Sequence, residues 1–171
     1  MVRLALGLLL LSPALCFTQV DTLALEAHVF AALNEYRIQR GLAPLEADRR
    51  LGLAARRHAR SMRDHGFFDH EDPTTSRDRT YDVRAERAGY DWRSVGENLA
   101  LLHMQEVGDA EAVADRAIRV LHDSRSHRRL MLDREMLDAG IGVAVAPGPA
   151  GSAGTIFVVQ LFGHPSVGGA P

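Results

Sequence analysis

The sequence predicts an α+β fold in a single domain, helices first and antiparallel strands last. Three observations carry this. Up to residue 123 the apolar residues recur at helical spacing in segments mostly opened by an aspartate. Residues 139–163 instead hold two β-branched runs of period two, separated by a Gly/Pro/Ser/Ala stretch. With 171 residues and 46% apolar composition, the chain has the material for one good core.

The opening stretch, MVRLALGLLLLSPALC, has one early positive charge, an unbroken apolar run and small residues near its end. That is the layout of a secretory signal peptide, and its apolar run is far shorter than the ~20 residues of a membrane span. Residues 1–20 are therefore expected as a leader, 21–165 as the folded domain and 166–171 as a disordered tail. The expected location is secreted, extracellular or periplasmic, with no membrane span after cleavage. Cys16 is the only cysteine, so the mature domain has no disulfide and must be held by its core.

Asp21 caps a helix through TLALEAHVFAALNEYRIQR that stops at Gly41. Pro44 keeps GLAPL a loop. Asp48 caps a second helix, with Leu51, Ala54, Ala55, His58, Ala59 and Met62 on one buried face and Gly66 at its end. Residues 69–80 are polar and irregular, and TYDVRAERAGY reads as a short helix closing at Gly89. VGENLAL starts at a glycine turn and becomes apolar. Asp109 caps the clearest helix, with Ala110, Val113, Ala114, Ala117, Ile118 and Leu121 in register. AGIGVAVAP and GTIFVVQLFG then form a hairpin, with the chain beyond Gly163 frayed.

A formal charge of −2 gives no reason to expect nucleic acid, and the expected form is a monomer. All twenty basic residues are arginines, and those of ARRHAR and RAERAG are read as solvated helix faces. Of the eight histidines, His58 reads as a packed core residue and His65 as a helix-end residue favoured by the dipole. Phe67 reads as core, while Phe68 and Trp92 suit either the core or a cleft wall.

His70 and His127 stand apart. His70 sits in a turn beside Asp69, Glu71 and Asp72, and His127 lies just past the strong helix. Between them Glu97 follows a glycine and enters an apolar run, where a buried carboxylate must be paired or neutralised. Two imidazoles and one carboxylate from three remote segments can share a proton, orient a water or bind a divalent metal such as Zn²⁺.

The order ALNEYRIQRGLAPLEADRRLGLAARRHARSMRDHGFFDH, AGYDWRSVGENLA, SRSHRRLML, DAGIGVAV and FVVQLFG resembles the CAP superfamily of cysteine-rich secretory, antigen 5 and pathogenesis-related proteins. It is closest to the disulfide-free bacterial branch and covers roughly residues 26–163. The resemblance implies a three-layer α-β-α sandwich with a central antiparallel sheet and a cleft at one end. It assigns the first cleft histidine to His70, the acid to Glu97 with Asn98 as neighbour, and the second histidine to His127. It also brings departures: Leu121 stands where a tryptophan is usual, Arg125 where a proline is, and Ser124 near the place of a second glutamate.

The implied function is a secreted binding module whose cleft takes a small hydrophobic, peptide or cell-envelope ligand. His70, Glu97, His127, Asn98 and Ser124 are the candidate contacts, and His70, Glu97 and His127 the candidate metal ligands. The alternative is a secreted hydrolase of peptidase type using His70, Glu97 and His127. Against it, neither G-x-S-x-G nor H-E-x-x-H occurs, and Ser124 and Ser126 beside His127 lack a third group. A third reading makes the cluster a tie between the loop after residue 66 and the sheet.

Overall fold

The structure, a computed structural model, describes residues 20–105, 109–146, 148 and 154–166. The leader with Cys16, most of the connection between the two last strands, and the tail beyond Ser166 lie outside the described residues. The elements run α1 (Thr22–Ile38), β1 (Glu46–Ala47), α2 (Arg49–His65), α3 (Tyr81–Arg87), β2 (Trp92–Met104), α4 (Ala110–Asp123), α5 (Arg125–Met131), β3 (Asp138–Ala146) and β4 (Gly154–Pro165).

The aspartate caps form as expected. Asp21 accepts hydrogen bonds from the amides of Leu23 and Ala24, Asp48 from those of Arg50 and Leu51, and Asp109 from that of Ala112. Gly66 closes α2 in the left-handed region at φ 70°, where a side chain is strained. Helix α1 ends at Ile38, short of Gly41, because a turn over Gln39–Gly41 takes the last residues.

One sheet of order β1-β3-β4-β2 organises the chain. Strands β3, β4 and β2 are antiparallel, but the two-residue β1 pairs parallel with β3, so the sheet is mixed. Alternation along β4 divides the core. Ile156, Val158 and Phe162 join α1, α4 and Met131 of α5 on one face, while Phe157, Val159 and Leu161 join α2 and α3 on the other. That is the expected three-layer α-β-α arrangement.

Helix α2 lies unusually close to β3, and glycine makes room for it. A Cβ on Gly140 would fall 2.1 Å from the Gly52 nitrogen, and one on Gly142 2.2 Å from the Ala55 carbonyl carbon. Helix backbone therefore rests on strand backbone, which fixes the N-terminal half of α2 over the sheet.

Three expectations are corrected. Strand β2 begins at Trp92, so Gly96 lies within it opposite Phe162 and makes no turn; its missing side chain accommodates Leu130 of α5. His127 sits in a helix of its own, α5, which the charged stretch SRSHRRLML hides from an apolar pattern. Strand β4 runs on to Pro165, pairing His164 with Ser94 and Pro165 with Trp92, so the chain is ordered past Gly163.

Candidate functional site

The segment after α2 is held in place before any of its side chains reaches the site. Phe67 packs against the α2/α3 core, its ring 5.9 Å from that of His58, while Phe68 is 44% exposed. His58 is buried and donates from Nε2 to the Asp69 carbonyl at 2.9 Å, as its core reading requires. Burial pushes the His58 pKa down, favouring the neutral ring. Further on, the Asp72 amide donates to the Arg79 carbonyl, and the Asp72 carboxylate accepts from the amide and hydroxyl of Thr74. The irregular 69–80 stretch is thus tied to itself by polar groups, which is why it shows no periodicity.

Between these ties lies His70. Its Nδ1 is 3.0 Å from Oε1 of Glu97, whose side chain has no exposed surface, while the His70 side chain is 45% exposed. The other carboxylate oxygen accepts from Nη2 of Arg84 at 2.8 Å, and Arg84 is itself buried. The same guanidinium donates to the carbonyls of His70, Asp78 and Arg79. Arg84 therefore balances the Glu97 charge and holds the loop that carries His70. The hydrogen bond to Glu97 raises the His70 pKa above its ordinary 6.5, against the opposing effect of burial.

Arg84 is the residue that reading RAERAG as a solvated face missed. Its position carried a signal: Tyr81, Arg84, Ala85 and Ala88 recur at i, i+3, i+4 and i+7, one helix stripe, and that stripe faces the core. The expectation for Arg84 is corrected accordingly, since a buried arginine here answers a buried acid.

Neighbouring residues of a strand point to opposite faces, so Asn98 faces α5 where Glu97 faces α3. Asn98 donates from Nδ2 to the His127 carbonyl at 3.1 Å and to Oε1 of Gln160 at 3.3 Å, and both Asn98 and Gln160 are buried. His127 and His70 thus flank β2, an edge strand, from the two helical layers. Burial first, then the positive charge of His70, holds the His127 pKa below 6.5. Ser124 opens α5, and its hydroxyl bonds to that of Ser126 at 3.1 Å on a solvent-facing turn. Among the described residues no histidine shares a hydrogen bond with it.

This donor set does not fit a divalent cation. Both Glu97 oxygens are engaged, one by a buried guanidinium, and no group of three His, Cys, Asp or Glu side chains is gathered for a metal among the described residues.

A cavity of about 480 Å³ lies beside Tyr81, lined also by Asp82, Trp92, Arg93 and Ser94 among others; His70 is not part of its wall. Tyr81 connects the two, its ring centroid 6.5 Å from that of His70 in an edge-on arrangement. A larger hollow of about 660 Å³ lies at the start of α2, lined by Arg49, Arg50, Leu53 and Arg56. None of the candidate site residues lines it. Among the described residues no helix is long and apolar enough to cross a membrane.

The family model described as CAP, the cysteine-rich secretory protein family, matches residues 30–162. Among curated proteins, the uncharacterised protein YkwD of Bacillus subtilis is 26% identical over 140 residues, 82% of this chain and 48% of the relative. The chain thus spans about half the length of that relative. Among solved structures, an extracellular protein containing a SCP domain from Bacillus anthracis aligns with a TM-score of 0.65 at 23% identity, over 84% of this chain and 41% of that one. An outer surface protein of Borrelia burgdorferi aligns with a TM-score of 0.61 at 20% identity, over 86% and 97%. At these identities the two structures support the fold.

Proposed function

This chain belongs to the cysteine-rich secretory protein (CAP) family, and from that premise we propose that it is a secreted binding module gripping an anionic group of a peptide or cell-envelope ligand through His70. The observation that carries this reading is the anchoring of His70 Nδ1 on a fully buried carboxylate, with the rest of the ring half exposed. An imidazole held that way keeps its proton more readily and presents Nε2–H outward as a charge-assisted donor. The leader-like start of the sequence and the extracellular and outer-surface proteins among the aligned structures support export.

One observation favours a hydrolytic reading: a carboxylate that orients the Nδ1 side of a histidine is half of a triad. One weighs against it: the Ser124 hydroxyl bonds to that of Ser126, and among the described residues no histidine shares a hydrogen bond with it. Binding is the better supported use.

The test is sedimentation of the purified domain with peptidoglycan sacculi and with vesicles of phosphatidylglycerol, for the wild type and His70→Ala. Retention on one of the two that is lost in a folded His70→Ala is the expected result. Equal retention of both proteins on every probe, or release of soluble fragments that persists in Glu97→Gln, overturns the role given to this site.

A further inference from the structure

We propose that the cleft crossed by Trp92 is a saccharide site, taking a carboxylated sugar of the cell envelope with one ring on the indole and the acid group toward His70. This deepens the reading of His70 as an anion grip and rests on it. Trp92 is the only tryptophan of the chain and forms a wall of two hollows at once. On one side lies the 480 Å³ cavity with Tyr81, Asp82, Arg93 and Ser94; on the other lies one of about 340 Å³ with Glu86, Gly89 and Asp91.

Trp92 reaches this place because it starts the edge strand. The register shifts between Trp92 and Ser94, and the indole packs partly on the α2/α3 core, the face that also carries Glu97 and His70. One face of the molecule therefore presents, in sequence, an indole, a phenol and an anchored imidazole.

The chemistry of the rim selects the ligand class. A hydrocarbon tail calls for an enclosed, mostly apolar lining. Here the aromatic rings are surrounded by three carboxylates (Asp82, Glu86, Asp91), the Arg93 guanidinium and the Ser94 hydroxyl. A pyranose matches that mixture. Its C–H face is drawn to the electron-rich face of an aromatic ring, while its hydroxyls donate to carboxylates and accept from a guanidinium. Tyr81, bordering the cavity and meeting His70 edge-on, sets the imidazole one ring away from the sugar platform. A sugar bearing a carboxylate on a short substituent satisfies both ends.

Tryptophan emission reads this site alone, because the chain has no second indole. The experiment titrates the purified domain with the disaccharide N-acetylglucosaminyl-N-acetylmuramic acid and with neutral chitobiose, following emission and heat of binding. Trp92→Ala, Arg93→Ala and His70→Ala are titrated by heat, with folding checked by circular dichroism. Arg93 is exposed, so its variant keeps the test usable if Trp92→Ala does not fold.

The expected result is saturable emission change with the acidic disaccharide and weaker binding of chitobiose. Trp92→Ala or Arg93→Ala should weaken both sugars, the former by about tenfold or more, a typical loss for a buried aromatic anchor. His70→Ala should bring the acidic sugar down to the chitobiose level. No change of emission or heat at saturating sugar overturns the saccharide site, and leaves the His70 reading standing if vesicle or sacculus retention still depends on His70. Tryptophan-dependent sugar binding that ignores His70→Ala overturns the link between the two.

Discussion

His70 Nδ1 lies 3.0 Å from Oε1 of Glu97, joining a half-exposed imidazole to a carboxylate that has no exposed surface. The two residues are 27 apart in sequence and arrive from a turn and from the middle of an edge strand. A buried acid that met only His70 would lose its partner whenever the ring deprotonated. Arg84 removes that dependence by holding the other oxygen at 2.8 Å at any ordinary pH. Glu97 can thus serve as a fixed negative charge under a histidine that meets solvent.

Stability should depend on pH in two opposing directions. The folded pKa of His70 stands above its ordinary 6.5, so its contribution is complete below 6.5 and is lost as pH rises through the folded value. His58 and His127 are held below 6.5, so their contributions are complete above it and are lost as pH falls through their folded values. The histidines together place a stability maximum near the ordinary value. Urea unfolding from about pH 5 to pH 9 should show it, and His70→Gln should flatten the alkaline side only. An alkaline limb unchanged in His70→Gln contradicts the assignment.

Like Gly140, Gly142 is expected to resist replacement by any residue with a side chain. A Cβ there would sit 2.2 Å from the backbone of α2, where no flexible side chain can move aside. Gly142→Ala should destabilise by about 1–3 kcal/mol, the cost of forcing a packed helix off its strand. Denaturant midpoints measure it. Wild-type stability in Gly142→Ala would mean that α2 does not lie as close to β3 as described.

Asn98 ties α5 to the sheet through the His127 carbonyl and shares its amide with Gln160. Asn98→Leu keeps the branched shape and removes both bonds, leaving the buried Gln160 acceptor unpaired at a cost of about 1–3 kcal/mol. Amide hydrogen exchange should accelerate in α5 before the rest of the molecule. Uniform exchange in wild type and variant would deny Asn98 that role.

Much of the fold was legible because helix signals are local. The caps at Asp21, Asp48 and Asp109, the left-handed stop at Gly66 and the stripe of α4 each need only a few neighbouring residues. The pairing of His70 with Glu97 was legible in another way: an acid in an apolar run demands a partner, and the family resemblance pointed to His70. What stayed hidden depends on distant contacts. Helix α5 is arginine-rich and helical because Leu130 and Met131 pack on the sheet, Met131 fully buried. Strand β1 exists as two residues that borrow hydrogen bonds from β3. Arg84 lies on the core stripe of α3, but its partner Glu97 comes from a different element and meets it only in the folded chain.

The direct measurement is the titration of His70 by histidine proton resonances, assigned by His70→Gln, in the wild type and in Glu97→Gln. An imidazole anchored on a buried carboxylate must titrate above 6.5 in the wild type and move back toward that value in Glu97→Gln. A wild-type His70 that titrates at or below 6.5, or that is indifferent to Glu97→Gln, contradicts the anchored cation and the ligand grip built on it.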